Sequence, residues 1–208
     1  MHILELHIIR HGQSQGNATG DYSTMAHDAL SERGLRQADE LAQYLTKLHI
    51  DHVVVSPMQR TLQTIAPYLE MQDRRAEIWP EVCEISGPGM GAPVGDHWNP
   101  IAADTYPGLP PRFDFYQGKA FRAIEGEPLS EGMYRVHIAT QRLMSLAQDQ
   151  DCSVAVVSHG FYLRGLLNYL FAPQKPVKYH AVNCGLSTIK YQNGQWEVRC
   201  INAPTCRA

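Results

Sequence analysis

No apolar run in this 208-residue sequence approaches the ~20 residues that a bilayer-spanning helix needs, and no basic segment followed by an apolar one stands at the N-terminus. These absences argue against membrane insertion and a secretion signal, so a cytoplasmic location is the expectation. Cysteine is sparse. Five residues, at 83, 152, 184, 200 and 206, form an odd set without close spacing, which indicates neither a disulfide framework nor a zinc cluster. They read as buried or incidental thiols. Ten histidines include no helical His-x-x-x-His pair and none beside clustered carboxylates, so no metal ligand set is expected. There is no block of like charge either: 18 basic against 21 acidic side chains give a formal charge of -3, which argues against a nucleic-acid partner and against anionic membranes. Internal repeats and low-complexity tracts are missing as well.

What is present is 44% hydrophobic and 19% charged sequence, a composition of globular proteins, in a chain long enough to bury a full core. A single domain over 1-208 is expected. An apolar run, Ile3 to Ile9, reads as a strand that delivers Arg10, His11 and Gly12 into a tight turn. Gln15 to Ala29 is polar and reads as a loop. Ser31 can cap a helix with Leu35, Ala38, Leu41, Ala42, Leu45 and Leu48 at helical spacing. Asp51 to Val55 is a short strand, after which Ser56-Pro57 predicts the start of a second helix, kinked or split at Pro67. Ala76 to Val82 makes a weak third strand leading to Glu84.

From Ser86 to Pro128 the texture changes to proline, glycine and aromatics with little periodicity, which predicts a lid-like insert at about 86-128 rather than a separate domain. Ser130 can cap a third helix. Val154 to Val157 is apolar at every position, as in a parallel strand buried on both faces, and Ser158-His159-Gly160 follows it into a fourth helix that runs to Pro173. Two strands near Tyr179 to Lys190 and Trp196 to Ile201 are joined by Asn193-Gly194, a strong hairpin signal. The alternation predicts an α/β fold, a three-layer α/β/α sandwich with a mostly parallel central sheet. In such a sheet the motifs after successive strands meet at one rim, where open α/β sheets bind ligands.

An isolated Arg-His-Gly is ordinarily a charged strand end. Its pairing with Ser158-His159-Gly160 changes that reading, because two histidines then leave neighbouring strands on one edge. Arg10, Arg60, His11, His159 and Glu84 together suit a doubly charged phosphoryl group. Arginine offers a planar fork of donors that matches the equatorial oxygens, and helix N-termini after Pro57 and His159 can add amides. A neutral imidazole attacks phosphorus well, which makes His11 the candidate nucleophile and His159 a charged or hydrogen-bonding partner to the phosphoryl oxygens. Glu84 can protonate the leaving oxygen and then activate water. Glu81 competes for that part, but on a continuing strand the two residues face opposite sides. Arg10 and Arg60 should oppose any upward shift of the Glu84 pKa, so a net shift is expected only with substrate bound. Ser14 and Asn17 are candidate phosphate contacts in the loop.

The blocks Arg10-His11-Gly12-Gln13-Ser14 with Asn17, Leu30 to Ala38, Ser56 to Thr64, and Ser158-His159-Gly160, taken in order, resemble the histidine phosphatase superfamily with its phosphoglycerate mutase-like fold. The resemblance implies His11 as the phosphorylated residue, Arg10, Arg60 and His159 completing the pocket, Glu84 as general acid, and no metal or organic cofactor. Cofactor-dependent mutases typically carry Phe-x-Gly-Trp soon after the asparagine, whereas Asn17 is followed here by Ala18-Thr19-Gly20-Asp21-Tyr22. Their acid lies in Asn-Glu-Arg-x-Tyr-Gly, against Cys83-Glu84-Ile85-Ser86 here. These departures favour a phosphomonoesterase acting on a small phosphorylated metabolite, with phosphoproteins also open. A phosphomutase or sugar bisphosphatase is the alternative, and a silent phosphate-binding module the non-enzymatic one.

Overall fold

The two apolar runs lie side by side at the middle of a sheet. A computed structural model describes residues 2–21, 29–85, 112–115 and 128–206. In chain order the elements are β1 (Leu4–Arg10), α1 (Gln15–Thr19), α2 (Glu32–Leu45), β2 (His52–Val55), α3 (Gln59–Met71), β3 (Ala76–Ile78), β4 (Phe113–Phe115), α4 (Leu129–Leu146), β5 (Cys152–Ser158), α5 (Gly160–Phe171), β6 (Gly185–Gln192) and β7 (Gln195–Pro204). The strands form one sheet in the order β4-β3-β2-β5-β1-β6-β7. β1, β2, β3, β4 and β5 pair in parallel, and β6 and β7 are antiparallel.

The period-2 alternation of strands assigns side chains to two cores. Leu6, Ile8, Val154 and Val156 pack with Val136, Ala139 and Leu143 of α4 and Leu163 and Leu166 of α5. Ile9, Val55, Ala155 and Val157 pack with Leu41 and Leu45 of α2 and Leu62, Ile65 and Leu69 of α3. A sheet covered on both faces is the expected three-layer sandwich, and its parallel strands put the ends of β1, β2, β3 and β5 on one rim. No helix among the described residues is long and apolar enough to cross a membrane.

Several local expectations change. The stretch after Ser14 opens with the short helix α1, because the Ser14 hydroxyl accepts from the Asn17 amide as an N-cap. Leu35 is exposed, outside the buried stripe of α2. α3 starts at Gln59 with Met58 as N-cap, two residues beyond Pro57, and Pro67 neither ends nor splits it. Burial of Ile65, Tyr68 and Leu69 on either side of the proline holds the helix together despite the missing amide. β3 stops at Ile78, and Pro80–Val82 form a 3-10 turn with proline in its first position. α4 begins at Leu129 with Pro128 as N-cap, so Ser130 lies inside the helix. β6 begins at Gly185, and the hairpin forms as expected. Most of the lid-like insert lies outside the described residues, but Phe113–Phe115 form edge strand β4 on β3.

Candidate active site

The turn after β1 is pinned from four directions. His11 N–H continues the ladder to Ser158 O at 3.0 Å. Gly12 N–H donates to Thr64 Oγ1 at 2.9 Å, and that hydroxyl donates to Arg60 O at 2.6 Å, which ties the turn to α3. Gln13 N–H donates to Gln37 Oε1 at 2.9 Å on α2. Asn183 Nδ2 donates to His11 O at 3.0 Å, and Cys184 N–H to Arg10 O at 3.0 Å and His11 O at 3.3 Å, from the segment before β6. Glycine is required where α2 meets the turn. A Cβ on Gly12 would stand 2.9 Å from Gly34 O, and one on Gly34 would stand 2.0 Å from Gln13 O.

The turn holds His11 with its Nδ1–H donating to Gly12 O at 2.6 Å, which leaves the lone pair on Nε2. The ring centroid lies 5.3 Å from that of His159. Both histidines are buried, at 3% and 0% exposure. Burial pushes the His11 pKa well below the ordinary histidine value, and the Arg60 and Arg10 guanidiniums add to the shift. Burial likewise lowers that of His159 strongly, followed by Arg60, His11, Arg10 and Arg135. Both rings are therefore neutral near pH 7, which removes charge as an option for His159 in the free protein. Its Nε2 bonds Ser56 Oγ at 2.8 Å, while its buried Nδ1 has no partner among the described residues.

Arg10 donates through Nη1 to Ala181 O at 2.5 Å and through Nη2 to Asn17 Oδ1 at 3.4 Å. Asn17 Oδ1 also accepts from Asn183 Nδ2 at 3.0 Å. Arg60 is buried, with Nη2 3.3 Å from Met58 Sδ. Ser14 is fully buried with its hydroxyl engaged as the cap of α1. Five predicted residues, Arg10, His11, Arg60, Glu84 and His159, thus share one rim, with Asn17 against Arg10 and Ser14 beneath the turn.

Glu84 sits over the start of α5. Its Oε1 accepts from Tyr162 N–H at 2.8 Å and Ile85 N–H at 3.0 Å, and its Oε2 from Phe161 N–H at 3.4 Å. The amides expected at this helix start for a ligand are therefore engaged by Glu84. Burial raises the Glu84 pKa, against the pull of the Tyr162 amide, Arg60 and the Ile85 and Phe161 amides. The upward shift is present without substrate, because desolvation outweighs the guanidinium charge. Glu81 separates from Glu84 for a different reason than strand alternation. It lies in the 3-10 turn and pairs with Arg142 at 3.0 Å, itself 4.7 Å from the Trp79 ring centroid.

Sequence reasoning missed the residues that hold this loop. Arg135 of α4 is buried and donates to Glu81 O at 2.9 Å, Cys83 O at 3.0 Å and Glu84 O at 3.0 Å. Ser158 Oγ donates to Val82 O at 2.6 Å. Arg135 carries a signal in hindsight: it interrupts the stripe of Gly132, Val136, Ala139, Thr140 and Leu143, where an arginine must find buried acceptors. Thr64 closes the Ser56 to Thr64 block but was given no part in holding the turn, and Asn183 carries no local signal.

The arrangement brings two guanidiniums, two neutral imidazoles and a carboxyl group of raised pKa to one rim. Known proteins resemble this one over the whole chain. A curated relative from Yersinia pestis (strain Pestoides F), "Probable phosphoglycerate mutase GpmB", is 27% identical over 197 residues, covering 93% of this chain and 88% of its own. Two solved structures superpose over nearly the full length. The α-ribazole phosphatase of Shigella flexneri has a TM-score of 0.71 at 23% identity, with 96% of each chain covered. The phosphoglycerate mutase of Bacillus anthracis also gives 0.71, at 18% identity, covering 98% of this chain and 95% of its own. The fold is thus phosphoglycerate mutase-like. The family model of the histidine phosphatase superfamily (branch 1) matches residues 6–204, and the chain belongs to that family.

Proposed function

We propose that the protein is a phosphomonoesterase that hydrolyses a phosphate ester of a small metabolite through a phosphohistidine on His11. The observation that carries this reading is the His11 imidazole, buried and neutral between two arginines, with Nδ1 committed to Gly12 O. In the first step Nε2 forms a bond to phosphorus as the ester P–O bond breaks, and Glu84 gives its proton to the departing oxygen. In the second step the Glu84 carboxylate takes a proton from water, whose oxygen attacks phosphorus and releases phosphate from His11. Arg10 and Arg60 stabilise the equatorial oxygens, and the unfilled Nδ1 of His159 meets one of them. Ser14 and Asn17 are the neutral contacts at the edge of this cradle.

A mutase is the second reading, favoured by the name of the Yersinia pestis relative. It differs in one step only, since the phosphoryl group returns to a substrate hydroxyl instead of water. Rapid quench at neutral to alkaline pH with 32P-labelled esters, drawn from a screen of phosphorylated metabolites and phosphopeptides, separates the possibilities. Label is expected on His11 and then in inorganic phosphate, and label in an isomeric ester would favour the mutase. His11→Ala should abolish both labelled species, whereas a folded His11→Ala protein with wild-type turnover would overturn the mechanism. Turnover is expected to be undiminished by EDTA, and loss restored by a divalent cation would contradict the reading.

A further inference from the structure

The chemistry proposed above gives Arg135 no part, although an arginine is costly to bury and this one is 4% exposed. Its guanidinium reaches from α4 to the segment that carries Glu84. Nη1 donates to Glu81 O at 2.9 Å and to Cys83 O at 3.0 Å, and Nη2 to Glu84 O at 3.0 Å. From these contacts we infer that Arg135 is the positioning residue of the acid: it fixes the main chain of Glu84 so that the carboxyl group stays on the amides of α5, at the rim. The inference rests on the reading of Glu84 as proton donor.

The segment needs such a tie. Its 3-10 turn ends at Val82, and Cys83, Glu84 and Ile85 follow in neither helix nor strand, so no regular ladder sets their direction. Side chains do so instead. Ser158 Oγ donates to Val82 O at 2.6 Å from the end of β5, and Ser56 Oγ lies 3.8 Å from Cys83 Sγ. Of these three side chains, only Arg135 bonds the main chain of Glu84. α5 packs closely on the same segment, since a Cβ on Gly165 would stand 3.0 Å from Ile85 Cδ1. Glu84 is thus held by its carbonyl toward α4 and by its carboxyl group toward Tyr162 and Phe161 of α5.

Arg135 directs these donors to carbonyls, and that suits an acid. A guanidinium paired with the carboxylate itself would favour the ionised form. Burial raises the Glu84 pKa, and against it act the Tyr162 amide, the Arg60 guanidinium of α3, and the Ile85 and Phe161 amides. Glu81 on the same segment is paired with Arg142 of α4, and the rings of His11 and His159 are neutral. Once the main chain of Glu84 is released, water reaches the carboxyl group, burial acts on it less, and its pKa falls toward the ordinary carboxyl value. A displaced acid also delivers its proton poorly, because misplacement by about 1 Å can cost about 10²-fold in rate.

The test sets Arg135→Met and Arg135→Lys beside Glu84→Gln in single-turnover phosphorylation from an alkyl and an aryl phosphate. Arg135→Met is expected to lose about 10²-fold on the alkyl ester and less than about threefold on the aryl ester. Its alkaline limb should move to lower pH by about half a unit or more. Its inhibition by inorganic phosphate, which reads the cradle of Arg10, His11, Arg60 and His159, should stay within about twofold of wild type. Arg135→Lys keeps a donor for the carbonyls and should recover part of the alkyl loss. If Arg135→Met does not fold, the ratio of alkyl to aryl losses in Arg135→Lys decides, with about fivefold or more expected. Equal losses on the two esters, or an unmoved alkaline limb, overturn the inference. If Glu84→Gln itself shows no dependence on the ester, the acid assignment falls and this inference with it. If Glu84→Gln shows the dependence and Arg135→Met does not, the inference falls alone.

Discussion

Glu84 and Glu81 are three residues apart and have opposite surroundings, which makes them a controlled pair. With Glu84 as the proposed proton donor, Glu84→Gln should slow single-turnover phosphorylation from an alkyl phosphate by roughly 10² to 10⁴, while an aryl phosphate, whose leaving group departs unprotonated, loses much less. Glu81→Gln weakens the pair with Arg142 and should change stability more than the ratio of the two esters. Equal losses for both esters in Glu84→Gln would contradict the assignment. The pH profile has a matching form. His11 stays neutral below the ordinary histidine range because its pKa is depressed, so kcat/KM should not fall as pH drops through 6.5. It should fall as pH rises through the elevated pKa of Glu84, and Glu84→Gln should lose that alkaline limb. The residues that the fold gathers at the rim were legible in the sequence because each lies in a motif after a strand and carries a charge or ring that such a segment does not need. Arg135 and Asn183 were not, since their importance comes from carbonyls distant in sequence.

The N-terminus of α2 is a structural part of the site although it supplies none of the reacting groups. Ser31 Oγ accepts from Gly34 N–H at 3.1 Å and donates toward Gln13 Oε1 at 2.9 Å, and Gly34 lies flush on Gln13. Gly34→Ala forces a methyl group into the Gln13 carbonyl, so the helix and the turn must part. Overpacking of this kind costs about 1–3 kcal/mol, and urea denaturation should show that loss together with at least a tenfold fall in turnover. A stable Gly34→Ala protein with undiminished turnover would mean that the turn is positioned without α2. At this scale, legibility followed apolar content. β1, β5 and the inner faces of α2, α3 and α5 carry long apolar patterns, and all of these elements form, α3 with a later start and no break at Pro67. α1 has five residues and β4 three, too short for a period to register, and their existence depends on the Ser14 cap and on the neighbouring edge of β3.

Across the whole molecule, the buried histidines make stability depend on acidity. His7, His11 and His159 all have lowered pKa values, so between those values and 6.5 the unfolded chain binds more protons than the folded one. Stability therefore rises with pH through this window and is lost as pH falls through it. Glu84 acts in the opposite sense, as its raised pKa favours the folded state at lower pH, but one carboxyl stands against three rings. The urea midpoint should be lower at pH 5.5 than at pH 7.5, and His159→Asn should show a smaller difference; a larger one would contradict the account. The position of β1 has a further consequence, for synthesis. It precedes the other strands of the sheet in chain order, yet its neighbours are β5 and β6, and β2 and β3 reach β1 only through β5. Until residue 158 has left the ribosome, β1 is an apolar strand with both edges unpaired, open to any other strand it meets. The clamp on Arg10 and His11 waits longer still, for residues 181–184. A nascent chain thus lacks the clamped turn until those residues emerge, and translation stalled before β5 yields a substrate for chaperones instead of a smaller folded unit.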